Sequence, residues 1–132
     1  MAFVEHMNSA NIVEPWMLVA ATADEAYLPG EALKYSANGT VTKATGTELP
    51  EFICQERVEK AVEGQTISVT LTHAQQRLEV PLEAEGSALK PGMRVTIGSD
   101  GLTVTATEGD VFMITDVLGT AVGDKVRGYF LR

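Results

Sequence analysis

Leu28-Pro29-Gly30-Glu31-Ala32-Leu33, followed by Asn38-Gly39-Thr40-Val41-Thr42, decides the fold, because the chain repeats it. Pro29-Gly30 returns as Pro91-Gly92, and Asn38-Gly39 returns at the same offset as Asp100-Gly101. Thr103-Val104-Thr105 echoes Thr40-Val41-Thr42, and Ala121-Val122-Gly123-Asp124-Lys125-Val126 echoes Val62-Glu63-Gly64-Gln65-Thr66-Ile67. Each copy reads as strand, turn, strand. In Leu28-Pro29-Gly30 the proline presets φ at the second turn position, and the glycine supplies the positive φ that a type II turn needs at the third. Residues 32–36 then read as a strand, Asn38-Gly39 as a hairpin turn, and residues 40–44, rich in β-branched side chains, as the returning strand. Two such units, at about residues 28–71 and 90–131, predict an all-β fold, a small sandwich or barrel built from two related β units.

The flanking segments extend this pattern. Ile67, Val69 and Leu71 alternate with Thr66, Ser68, Thr70 and Thr72, as in a half-buried strand. Leu78, Val80 and Leu82 alternate with Arg77, Glu79 and Pro81, and Pro81 places that strand at a sheet edge or at its own end. Residues 53–62 admit two readings. Matching Ile53 to Phe112 in the repeat predicts a strand followed by a charged loop; the spacing of Cys54, Val58 and Ala61 leaves a short helical turn as the alternative. The second copy predicts strands near residues 94–98, 102–107, 111–117 and 125–131. Ahead of the first copy, residues 1–15 read as an extended N-terminal arm, poorly ordered alone, before a single β domain at 16–132. Pro15 introduces Trp16-Met17-Leu18-Val19-Ala20-Ala21, a run that predicts a buried strand.

A chain of 132 residues is about one domain. Only 6% of it is aromatic, so the core should be mainly Val, Ile, Leu and Ala. The net charge of −8 argues against a nucleic-acid partner, which needs a basic surface, and against an anionic membrane surface. No apolar run approaches the roughly 18 residues of a membrane span, and the first residues lack a signal-peptide pattern. The expectation is a soluble protein made in the cytosol. The single Cys54 cannot form an intramolecular disulfide and reads as a small buried residue.

Signals for chemistry are few. Neither His6 nor His73 has partners at metal-ligand spacing, and no serine sits in a nucleophile-elbow context. Gly98-Ser99-Asp100-Gly101 reads as a hairpin turn, since no lysine or helix follows it. Asp100, Glu108, Asp110, Asp116 and Asp124 do not have the spacing of a calcium loop. No catalytic residue, metal site or cofactor is expected. Trp16 reads first as a core anchor and second as an interface anchor. Phe3 lies so close to the chain start that docking onto a partner or a neighbouring copy is a natural use for it. Phe3, Val4, Met7, Ile12, Val13 and Trp16 are therefore the candidate contact residues.

The order Leu28-Pro29-Gly30-Glu31-Ala32-Leu33, Asn38-Gly39-Thr40-Val41-Thr42-Lys43-Ala44-Thr45-Gly46, Pro50-Glu51-Phe52-Ile53 and Val62-Glu63-Gly64-Gln65-Thr66-Ile67-Ser68-Val69 resembles tailed-bacteriophage head decoration, or capsid cement, proteins. The resemblance covers about residues 16–71 and continues more loosely to Arg132. It implies a β-rich protein without catalysis that binds the outer surface of a phage head, often as a homotrimer, and clamps subunits of the major capsid protein. Two other classes stay open: a small β-barrel ligand-binding module with a pocket between the halves, and a small enzyme pairing His73 with a carboxylate and a serine or cysteine.

Overall fold

The structure, a computed structural model, describes residues 2–8 and 15–132. Eleven strands are seen among them and no helix: β1 (Val4–Asn8), β2 (Met17–Ala20), β3 (Ala32–Tyr35), β4 (Val41–Lys43), β5 (Phe52–Cys54), β6 (Thr66–Leu71), β7 (Gln76–Pro81), β8 (Arg94–Ile97), β9 (Val104–Glu108), β10 (Phe112–Val117) and β11 (Lys125–Phe130). They form two packed antiparallel sheets, ordered β2-β6-β5-β3-β4 and β1-β7-β11-β10-β8-β9. The segment 53–62 is a strand followed by irregular chain, as the repeat predicts.

Strand for strand, the second sheet is the first one repeated. With β7 to β11 set against β2 to β6, the two orders are the same, and only β1 has no counterpart. The turn chemistry repeats with the topology. Gly30 and Gly92 both have positive φ, and their N–H groups donate to Cys54 O at 2.7 Å and Ile114 O at 2.8 Å. Gly39 and Gly101 also have positive φ, and each N–H closes a turn onto the carbonyl three residues back, Ser36 or Gly98. Asn38 keeps a negative φ. The hairpin is therefore a type I turn followed by a left-handed glycine, rather than a two-residue type I′ turn. In each half an isolated parallel bridge, Ala21 to Val41 or Leu82 to Val104, joins the two ends of the five-strand order. Each sheet thus curls towards a barrel.

Two positions differ from the sequence reading. The repeat match of Ile53 to Phe112 is one residue out. Phe52 faces Leu33 in register, as Phe112 faces Val95. Phe52, Ile53 and Cys54 are all buried, so this strand carries no alternation from which its register could be read. Pro81 is not on an edge strand, because β7 lies between β1 and β11. It is the last residue of β7, the other place a proline is tolerated.

Two apolar clusters follow from the curled halves. One, with Tyr27, Leu33, Val41, Phe52, Ile67 and Val69, belongs wholly to the first half. The larger fills the second half and continues into the joint between the sheets, where Ala32, Ala44 and Ile53 of the first half meet Leu78, Ile97 and Phe130. Backbone bonds lock that joint. Ala32 N–H donates to Gly101 O at 2.9 Å, and Gly46 and Ile97 exchange two bonds of 2.9 Å.

Candidate functional site

The N-terminal segment breaks the repeat, and the site is built around it. Phe3 is 2% exposed. Its ring packs on Phe130 at 4.9 Å and on Phe112 at 5.8 Å between centroids, and those two rings lie 5.3 Å apart. Its N–H donates to Gly30 O at 3.1 Å. The first copy's Pro-Gly turn therefore does a second job. A Cβ on Gly30 would come 2.2 Å from Ala2 Cβ, whereas one on Gly92 would meet nothing. Beyond Phe3 the chain continues as β1 along the edge of β7, with Val4 opposite Glu79 and Asn8 opposite Gln76.

These placements correct the expected contact set. Phe3 is a core residue of its own chain, because Phe112 and Phe130 leave an aromatic slot between the sheets and the Gly30 turn lets the backbone reach it. The described part of the expected arm is a strand of the body. Val4 is 59% exposed. Met7 lies in β1 in register with Arg77. Ile12 and Val13 fall outside the described residues. Trp16 is 65% exposed, so the reading as a core anchor fails. The strand it introduces is also not buried: β2 is at the edge of its sheet, with Met17 38% and Leu18 68% exposed.

Between Trp16 and β1 lies an open groove of about 440 Å³, lined among others by Phe3, Val4, Trp16, Ile53, Gln76 and Leu78. Its walls are apolar with a few polar groups. Gln55 Nε2 donates to Thr70 Oγ1 at 2.9 Å. Gln76 is 2% exposed; its Nε2 donates to Glu5 Oε2 at 3.0 Å, and its buried Oε1 has no partner. Gln76 shares the parity of Leu78 and Val80, and this places it on the buried face of β7.

A second buried polar group lies just past the Gly30 turn. Glu31 is 5% exposed and its Oε1 has no hydrogen-bond partner. Burial pushes its carboxyl up to about 7; the Lys43 ammonium opposes this shift, and the Glu25 and Asp100 carboxylates add to it. No sequence pattern marks it, and the equivalent residue of the second copy is Met93, which is 40% exposed.

The residues weighed for catalysis lie on different segments: β5, β1 and the β6–β7 connection. Cys54 is buried, its Sγ donates to Glu56 O at 3.1 Å, and burial pushes the thiol up to about 11. It stays protonated at neutral pH and is a poor nucleophile. His6 is exposed on β1, beside a recess lined by Arg77, Thr115, Asp116 and Arg127. His73 sits half-buried between β6 and β7. Among the described residues no group of three or more His, Cys, Asp or Glu side chains is placed to hold a metal ion. No protein-family model matches the chain, and no curated protein matches it.

Proposed function

We propose that this chain is a non-enzymatic decoration protein of a tailed-phage head, which binds the outside of the shell and clamps neighbouring major capsid subunits. The observation that carries the reading is the doubled body. Its resemblance-bearing motifs occupy the left-handed turns and short strands that build the first half, and the second half repeats that topology. A cement protein needs a stiff body with adhesive side chains at one end. Here that end is the face carrying Val4, Trp16 and the groove between them. Many copies on a shell would turn weak single contacts into firm attachment. Its site of action would be the virion surface, after synthesis in the host cytoplasm.

The test is cosedimentation of the purified protein with expanded, undecorated heads, followed by heating to rupture. Bound protein should raise the rupture temperature. Val4→Ser should weaken attachment while moving the melting temperature of the free protein by less than about 2 °C, because Val4 is 59% exposed. Failure to bind heads carrying its cognate shell protein would end the reading.

The groove supports a second reading, a ligand-binding module. Its 440 Å³ lies within the usual range of small-molecule sites, roughly 300–1,000 Å³, and Gln76 Oε1 offers it a buried acceptor. A small apolar ligand with one N–H or O–H donor, raising the melting temperature of wild type but not of Gln76→Leu, would favour this reading.

A further inference from the structure

The repeat exposes an unequal treatment of two equivalent edges. β2 meets β6 with Val19 opposite Ile67, and β7 meets β11 with Val80 opposite Val126. Ile67 and Val126 are repeat counterparts, so Leu18, Met17 and Trp16 correspond to Glu79, Leu78 and Arg77. Those three β7 residues, together with Gln76, pair with β1. Among the described residues, nothing pairs with the matching edge of β2.

That edge is short and led by Pro15, but among the described residues it lacks the charges and bulges that guard most edges. Edge strands are normally guarded by lysines, inward-pointing charges or bulges. From Pro15 to Thr22 there is no charged residue, and β2 pairs with β6 in unbroken register. Trp16 and Leu18 are about two-thirds exposed. The rest of the surface belongs to a chain of net charge −8, so two copies repel over most approaches. The β2 seam is a charge-free route between them. The outer edge of β1, by contrast, carries exposed Glu5 and His6.

We propose that the β2 edge pairs with the same edge of a second copy, so that two β2 strands run antiparallel across a twofold axis and the two five-stranded sheets become one. A twofold contact needs only one self-complementary patch, and an uncharged apolar strand is self-complementary. The added strand would play the part on β2 that β1 plays on β7. The proposal stands apart from capsid binding; the two surfaces meet at Trp16.

Sedimentation equilibrium of the full chain over a micromolar range tests it. Wild type should dimerise. Leu18→Lys, which sets like charges across the seam, should weaken association by about tenfold or more, while Val122→Lys, at another exposed apolar side chain, should leave it unchanged. Leu18→Cys should give a disulfide-linked dimer on mild oxidation, which wild type with its buried Cys54 should not. Leu18→Cys also reads the seam if the lysine variant fails to fold. A monomeric wild type at every concentration would overturn the proposal. So would a dimer or trimer indifferent to Leu18→Lys, or a Leu18→Cys protein that does not cross-link. A wild type that stays monomeric in solution but shields β2 when bound to heads would give the edge to a shell segment instead.

Discussion

Phe3→Ala should destabilise this protein as strongly as a substitution in the middle of its core, although it lies two residues from the start of the sequence. Phe3 is 2% exposed and forms two of the three edges of the ring cluster with Phe112 and Phe130. Truncating a buried phenylalanine costs about 3–5 kcal/mol, of which each aromatic pair accounts for about 0.5–1.5 kcal/mol beyond the area it buries. The site cannot collapse easily. Phe112 and Phe130 sit on adjacent strands, opposite each other in register, and are held by the β10–β11 ladder. A domain of this size has a total stability of roughly 5–15 kcal/mol, and about 1 kcal/mol moves its melting temperature by some 3–5 °C. The expected fall is therefore about 10–20 °C, read by far-ultraviolet circular dichroism at fixed protein concentration. Val4→Ser, one residue on and 59% exposed, should move it by less than about 2 °C. If Phe3→Ala melts within about 2 °C of wild type, the N-terminal segment does not hold the two sheets together. Phe3 would then be free to engage a partner.

Gly128→Ala should destabilise by several kcal/mol, on the order of severe overpacking, because the new Cβ would lie 1.9 Å from Met113 O and 2.7 Å from Phe112 Cε2; chemical denaturation measures it. Tyr27→Phe should cost about 1–3 kcal/mol in the same assay, since the hydroxyl donates to Val41 O at 2.7 Å and accepts from Thr22 N–H at 2.8 Å in a fully buried site. Glu31 binds its proton more tightly folded than unfolded, so its contribution is most favourable in acid and falls as pH rises from about 4.5 to about 7. Compared with Glu31→Gln, wild type should lose stability across that window, by at most about 3 kcal/mol, and parallel stability-against-pH curves for the two proteins would refute the assignment.

The turns were legible because their chemistry is local. Pro29-Gly30 and Asn38-Gly39 each state a backbone geometry within two residues, and both glycines adopt the positive φ expected. Their repetition carried the topology, since equal spacings of turns and strands give equal strand orders. Register in β5 was not legible. Phe52, Ile53 and Cys54 are buried on both faces, so a one-residue slip, which exchanges faces, leaves no trace in the hydropathy. Burial of Trp16-Met17-Leu18 was also out of reach. The apolar run specifies a strand, but exposure depends on what lies beside that strand in the sheet, and β2 is the last of its row.

The candidate site escaped sequence reasoning for a related reason: it arises where the two copies differ. Duplication supplies two equivalent turns, at Gly30 and Gly92, and two equivalent edges, at β2 and β7. One short segment outside the repeat, residues 2–8, takes the Gly30 turn with its backbone, the Phe112–Phe130 slot with a ring, and the β7 edge with a strand. Each of these acts removes a symmetry of the body. The groove between β1 and Trp16 and the β2 edge, unpaired among the described residues, are what remains on the other side of each choice. Comparing the copies with each other would have shown that something must distinguish them. It could not have shown what, because Phe3 lies far in sequence from Phe112 and Phe130, and only the folded sheets bring the three rings together. The same asymmetry sets the order of perturbation. A change at Phe3 should reach every feature of this face at once, by releasing β1 and opening the groove. A change at Leu18 should reach only the edge. A protein in which Phe3→Ala and Leu18→Lys altered self-association to the same extent, with no loss of stability in the first, would contradict that hierarchy.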